Sequence, residues 1–289
     1  MTFRVWLAFL ALCVIWGTPY FFIKKAVVEV SPVLIAWGRI TLGSLVLLPI
    51  AWHMGALRNI TKHVRWLVVF AVVELVGPFW LIALGEQAIS SSLAGILLSA
   101  VPLTVVMIAP LMGVKERLGM RRWAGLIIGL VGVAALLGID SLHGSHEWLG
   151  AGCILLSTLG YALGPLIVQR HLSDTHPLGV VAASTLVGSL VLLIPAVLAA
   201  PSAMPSSVAV TSIAVLGIVC TALALVLFVY VISNAGASKA TVVTYVNPAV
   251  AVLLGVWILD EHFGVGAGIG LVLILLGCWM ANSGGETAH

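Results

Sequence analysis

The stretch TYVNPAVAVLLGVWILDEHFG, from Thr244 to Gly264, is apolar over the length a bilayer demands of a helix, yet it carries Tyr245, Asn247 and Pro248 inside and stops on two adjacent acids. An earlier stretch, LLSAVPLTVVMIAPLMGVKERLG from Leu97 to Gly119, follows the same plan: apolar residues, a polar residue shortly before an internal proline, and a Glu-x-x-Gly ending. Around these two segments the chain is 62% hydrophobic and 8% charged over 289 residues. Soluble domains run at about half apolar and a quarter charged, so a soluble globular protein is excluded. Every backbone amide in a bilayer core must be satisfied within its own segment, which selects helices. Ten apolar runs qualify, at 3–23, 33–53, 65–85, 89–112, 121–139, 148–168, 178–199, 209–232, 238–259 and 264–282. The expected fold is an all-α membrane protein of ten transmembrane helices.

Arg4 ahead of an apolar run imitates a signal peptide, but no small-x-small cleavage pattern follows, and the first span is expected to be retained. Cys13, Cys153, Cys220 and Cys278 all fall within spans, as buried thiols would and a disulfide framework would not. With the N-terminus in the cytoplasm, one face collects Arg4, Arg58, Lys62, Arg65, Lys115, Arg117, Arg121, Arg122, Arg170 and Lys239, and the other only Lys24 and Lys25. That asymmetry predicts a multi-pass protein of the cytoplasmic membrane with both termini inside. The net charge of +3 comes from this bias and gives no reason to expect nucleic acid as a partner.

Shifting the chain by 145 residues aligns Lys25 with Arg170, Pro32 with Pro177, LGSLVLLPI at 42–50 with VGSLVLLIP at 187–195, Glu116 with Glu261, Gly119 with Gly264, Gly125 with Gly270 and Gly132 with Gly277. Pro102 meets Pro248 after a slip of one residue. The chain therefore divides into repeats over residues 1–140 and 146–285, each of five spans. An odd number makes the second repeat enter the membrane from the opposite side, the inverted duplication of many secondary transporters.

These features, with WGTPYFFIKKA in the first span, Arg39 in the second and the Pro…Glu-x-x-Gly…Gly ending of each half, resemble the EamA-type branch of the drug/metabolite transporter superfamily. The resemblance covers nearly the whole chain. It implies an exporter of amino acids or related metabolites, with a central cavity lined mainly by spans one, three, four, six, eight and nine; aromatic amino-acid exporters are a close fit. Drugs or other metabolites are the alternative cargo, and a channel or sensor the alternative class. An intramembrane enzyme would need a catalytic constellation in the bilayer, and neither His-Glu-x-x-His nor a pair of membrane aspartates exists.

Glu74 is the lone acid within a span, where an ionisable group is costly and faces a cavity or a partner. It is a candidate for substrate or proton handling, or else an ion-pair partner of Arg39 or a protonated carboxyl bonded to a backbone carbonyl; its mate at the 145 shift is Val219. Arg39 lies about 9 Å below the outer interface, within snorkelling reach, and is read as a structural or gating anchor. Trp16, Tyr20, Trp80, Tyr161, Tyr230 and Tyr245 put rings on the spans that the resemblance turns toward the cavity, where a ring can hold an ammonium or stack on an apolar side chain. Trp16 and Tyr161 are repeat mates, as are Ser99 and Tyr245. Asn247 either lines the site beside a carbonyl freed by Pro248 or caps a break there.

Glu116 and Glu261 are expected to cap the helix that follows each of them. Small-xxx-small pairs such as Gly125 and Gly129, Gly160 and Gly164, or Gly266 and Gly270 suit close packing within the chain better than a dimer seam, so monomer and homodimer both stay open. His143 and His146 lack a third ligand, and no glycine-rich phosphate loop is present, so no metal and no nucleotide cofactor are expected. The expected partners are a small-molecule substrate and the lipid bilayer.

Overall fold

In the computed structural model, residues 2–108, 111, 119–138, 144–236 and 243–282 are described, and among them there are helices and no strands. Among the described residues, eight helices are long and apolar enough to cross a membrane: α1 (Phe3–Ala26), α2 (Pro32–His53), α3 (Ile60–Gly85), α4 (Ser91–Ile108), α5 (Met120–Leu137), α6 (Ser145–His171), α7 (Pro177–Leu198) and α8 (Ser207–Ala235). Two shorter apolar helices follow, α9 (Val243–Ile258) and α10 (Val265–Ala281). Pro32 and Pro177 each open a helix, where the missing amide costs nothing. Large apolar side chains such as Leu45, Ile194, Leu198 and Trp257 stand exposed on the outside, as they would toward lipid and not toward water.

The interruptions in these helices set up the site. The first segment of α1 ends at Gly17 and the second starts at Pro19, with the Thr18 hydroxyl donating to the Ile15 carbonyl at 2.9 Å. Between Leu98 and Val101, α4 breaks; the Ser99 hydroxyl turns back onto the Ile96 carbonyl at 2.5 Å. Pro102, three residues on, has no amide to close the ladder there. The sequence suggested a similar interruption in α9, but that helix runs unbroken through Pro248. With its amide oriented to suit its surroundings, Asn247 donates to the carbonyls of Val243 (3.0 Å) and Cys13 (3.2 Å), fastening α9 to itself and to α1. Both α3 and α8 widen into a single π-helical turn, Ala71–Val76 and Ile218–Leu223. Such turns squeeze an extra residue into the helix and recur at functional sites.

Glycines decide the closest approaches. A Cβ on Gly125 would lie 2.7 Å from the Gly277 carbonyl, and one on Gly132 2.8 Å from the Ile274 amide, so α5 and α10 pack backbone to backbone within the chain. Elsewhere α2 lies along α7, α3 against α6, α4 against α9, and α1 between α8 and α9.

One end of the bundle is stitched by hydrogen bonds between segments far apart in sequence. The Lys24 ammonium donates to the carbonyls of Glu86 and Ile89, both at 2.7 Å. The backbone amide and hydroxyl of Ser206 donate to Glu29 at 2.7 Å each, and the Ser31 hydroxyl donates to the Ala199 carbonyl at 3.2 Å. The Glu261 carboxylate accepts from the backbone amides of Ser91 (2.7 Å) and Ser92 (2.9 Å) and from the Ser92 hydroxyl (2.6 Å). Glu261 is thus a cap, but of α4, a helix in the other half of the sequence, and not of α10 which follows it. The chain turns away at Asp260, whose φ is 52°, and Gly255 leaves room that a Cβ would take from the carboxylate. Glu116, its repeat mate, and the loop around Arg117 lie outside the described residues, as does His143. At the opposite end, His63 meets Asp174 at 3.1 Å and Trp66 stacks on His171 with ring centroids 3.5 Å apart.

Candidate substrate cavity

Helical phase determines which side chains reach the centre. Successive residues turn by about 100°, so neighbours in sequence face different ways and positions three and four apart share a face. On α9 this places Thr244, Asn247 and Pro248 on one wall of a cavity of about 330 Å³. Tyr245 falls off that face and packs against the buried core behind it. On α3 the inward residues are Glu74, Leu75 and Phe79, and Trp80, one step on, is turned outward and 43% exposed. On α8 the inward ring is Phe228, and Tyr230 is 39% exposed. Of the nine residues singled out in the sequence, the structure gathers Trp16, Tyr20, Glu74, Ser99, Tyr161 and Asn247 around the cavity and leaves Trp80, Tyr230 and Tyr245 away from it.

The walls come from α1, α3, α4, α6, α8 and α9, with one addition from α2, Arg39. Aromatic rings dominate. Trp16 leans on Phe228 with ring centroids 4.9 Å apart, and Tyr20 and Tyr161 stand on the α1 and α6 sides. Gly95 keeps α4 close to both neighbours, because a Cβ there would lie 3.3 Å from the Tyr20 ring and 2.5 Å from the Ala251 side chain.

The cavity holds two charged side chains. Arg39 does not snorkel: it is 7% exposed, its guanidinium lies 3.7 Å over the Phe79 ring, and its Nε donates to the Thr221 hydroxyl at 2.9 Å. Thr221 in turn donates to the Leu216 carbonyl across the π turn of α8. Glu74 occupies the π turn of α3, and its Oε2 is sealed against the Gly164 backbone without a hydrogen-bond partner. No ion pair joins Glu74 to Arg39 among the described residues, so the pairing considered from the sequence is not made. Glu74 and Thr221 hold the same place within their π turns, counted from Ala71 and Ile218, which moves the counterpart of Glu74 from Val219 to Thr221. Sequence reasoning missed Phe79, Phe228 and Thr221 as wall residues, and misjudged the direction of Arg39.

Comparison with known proteins adds a family. The EamA-like transporter family matches this chain twice, over residues 4–138 and 148–283. The "Uncharacterized inner membrane transporter YedA" of Escherichia coli (strain K12) is 30% identical over 253 residues, covering 86% of this chain and 80% of that protein. The "Uncharacterized transporter YoaV" of Bacillus subtilis (strain 168) is 23% identical over 281 residues, covering 96% of each. A solved structure superposes on 98% of this chain and 98% of its own with a TM-score of 0.68 at 20% identity, which establishes a common fold and says nothing of cargo.

Proposed function

Because the chain belongs to the EamA-like transporter family, and is therefore a multi-pass membrane transporter, we propose that it exports amino acids with apolar or aromatic side chains by alternating access. The observation that carries the cargo is the central cavity: about 330 Å³, walled by Trp16, Tyr20, Phe79, Tyr161 and Phe228, with the carboxyl of Glu74 inside it. Its volume lies at the lower end of small-molecule pockets, which suits a single amino acid. Rings stack on an apolar side chain, and rings together with a carboxyl receive an ammonium group.

The mechanism we infer uses ten transmembrane helices as two inverted five-helix repeats, bounded near residues 1–140 and 146–285, in the cytoplasmic membrane with both termini inside. The two family matches, the paired π turns of α3 and α8 and the intimate packing of α5 on α10 support this arrangement. Rocking one repeat against the other would expose the same cavity to each side in turn. The Lys24 end would face outward and the Arg58 and Lys62 end inward, as the basic residues favour.

Purified protein in liposomes, loaded with labelled amino acids one at a time, tests the cargo. Saturable flux with counterflow of apolar or aromatic amino acids is expected. Unsaturable flux would point to a channel, and no flux of any amino acid would end this reading. Cysteine labelling at position 62, in a chain with its four native cysteines replaced, checks the orientation; reaction from outside intact cells would reverse it.

A further inference from the structure

We propose that Arg39 binds the carboxylate of the substrate while Glu74 binds its ammonium group, so that the cavity selects a dipolar molecule over one carrying a single charge. This assignment rests on the amino-acid reading above and gives its two ends to named residues.

A guanidinium has five N–H donors and a planar fork suited to a carboxylate. Arg39 uses only part of it. Its Nε is taken by Thr221, and one face of the plane lies on Phe79. The two Nη amino groups have no protein acceptor among the described residues, nor are they sealed from the cavity that Arg39 lines. The anchoring by Thr221 and Phe79 thus fixes the plane of the fork and leaves its donating edge for a ligand.

Glu74 is the complementary case. Its Oε2 is closed in against Gly164, and its Oε1 is not among the sealed atoms, so one carboxyl oxygen remains presented to the cavity. Tyr161, Arg39 and Glu74 all line the same cavity, so one ligand within it can meet both groups. A guanidinium and a carboxyl left without polar partners at membrane depth are each expensive, and a direct ion pair would relieve both. The structure keeps them apart. A ligand bearing its own anion and cation, as the main chain of an amino acid does, completes both at once while its side chain meets the aromatic walls.

Calorimetric titration of the purified chain with three probes tests this: L-phenylalanine, 2-phenylethylamine, which lacks the carboxylate, and 3-phenylpropionate, which lacks the ammonium. Wild-type protein is expected to bind L-phenylalanine roughly tenfold or more tighter than either analogue, the difference expected from one charge-assisted contact. In Arg39→Gln the advantage of L-phenylalanine over 2-phenylethylamine should vanish while that over 3-phenylpropionate persists; Glu74→Gln should do the reverse. Wild-type protein that binds 2-phenylethylamine as tightly as L-phenylalanine overturns the role of Arg39, and this comparison requires no variant to fold. Folded Arg39→Gln that still discriminates overturns it too, and leaves Arg39 a strut for Thr221 and Phe79. Binding of 3-phenylpropionate alone, weakened in Arg39→Gln, would sink the amino-acid reading yet keep the anion site. Binding of none of the three overturns both.

Discussion

Glu74 is held by shape more than by bonds. A Cβ at position 164 would land on its carboxyl, so the glycine on α6 is what lets the acid lie where it does. Gly164→Ala should push the carboxyl aside and imitate Glu74→Gln in flux measurements, at little cost in thermal stability, because a flexible side chain can yield. Glutamine keeps the size of the acid but cannot exchange a proton. If Glu74 couples export to proton entry, Glu74→Gln should retain counterflow at saturating amino acid, with affinity lowered by the lost ammonium contact, and lose all acceleration by an imposed pH gradient; a gradient response that survives would remove the coupling role. The rings divide by the same criterion of facing. Trp16→Ala should depress transport several-fold, and Trp80→Ala should leave transport near wild type, since Trp80 looks outward. Equal losses in both variants would show that bulk and not the cavity wall is being measured.

At the scale of elements, Glu261 joins halves that the sequence keeps apart. Its carboxylate satisfies the first amides of α4, at Ser91 and Ser92, which are buried and have no other acceptor in the helix. Removing it in Glu261→Ala should cost about 1–3 kcal/mol, the usual penalty for stranding buried donors. Thermal unfolding in detergent measures it, and an unchanged midpoint would mean water replaces the cap. What the sequence revealed at this scale, and what it hid, follows from contrast. Glu74 was legible because an acid stands out in an apolar helix, and the glycines and prolines because their backbone roles are fixed. Phe79 and Trp80 were not distinguishable, because a helix apolar on every side carries no periodicity to show which face is inward. The counterpart of Glu74 was displaced by two residues because the connection before α8, residues 199–206, is two residues longer than the one before α3, residues 54–59, and a constant shift does not allow for it. The partner of Glu261 was hidden for a different reason: nothing local indicates that Asp260 turns the chain back toward α4.

At the scale of the molecule, the bonds of Glu29, Ser31 and Glu261 draw both halves together at one end, and in a rocking mechanism that end must part for the cavity to open there. One member of this set titrates in a way that can be told from Glu74. The Ser206 backbone amide, helped by its hydroxyl, holds the Glu29 carboxyl below the usual carboxylate range. A carboxyl whose pKa is lowered in the bonded state contributes its bond fully above the ordinary glutamate value of about 4.3 and loses it only as pH falls through the lowered value. Between pH 5 and 8 the Glu29 bond should therefore be constant. Any acid acceleration of transport in that window has to come from elsewhere. Flux across this range should accordingly keep its pH profile in Glu29→Gln, even if the overall rate shifts because the end parts more easily, whereas Glu74→Gln should flatten the profile. A profile flattened by Glu29→Gln instead would place the pH sensor at the stitched end of the bundle and leave the cavity acid with the ammonium of the cargo alone.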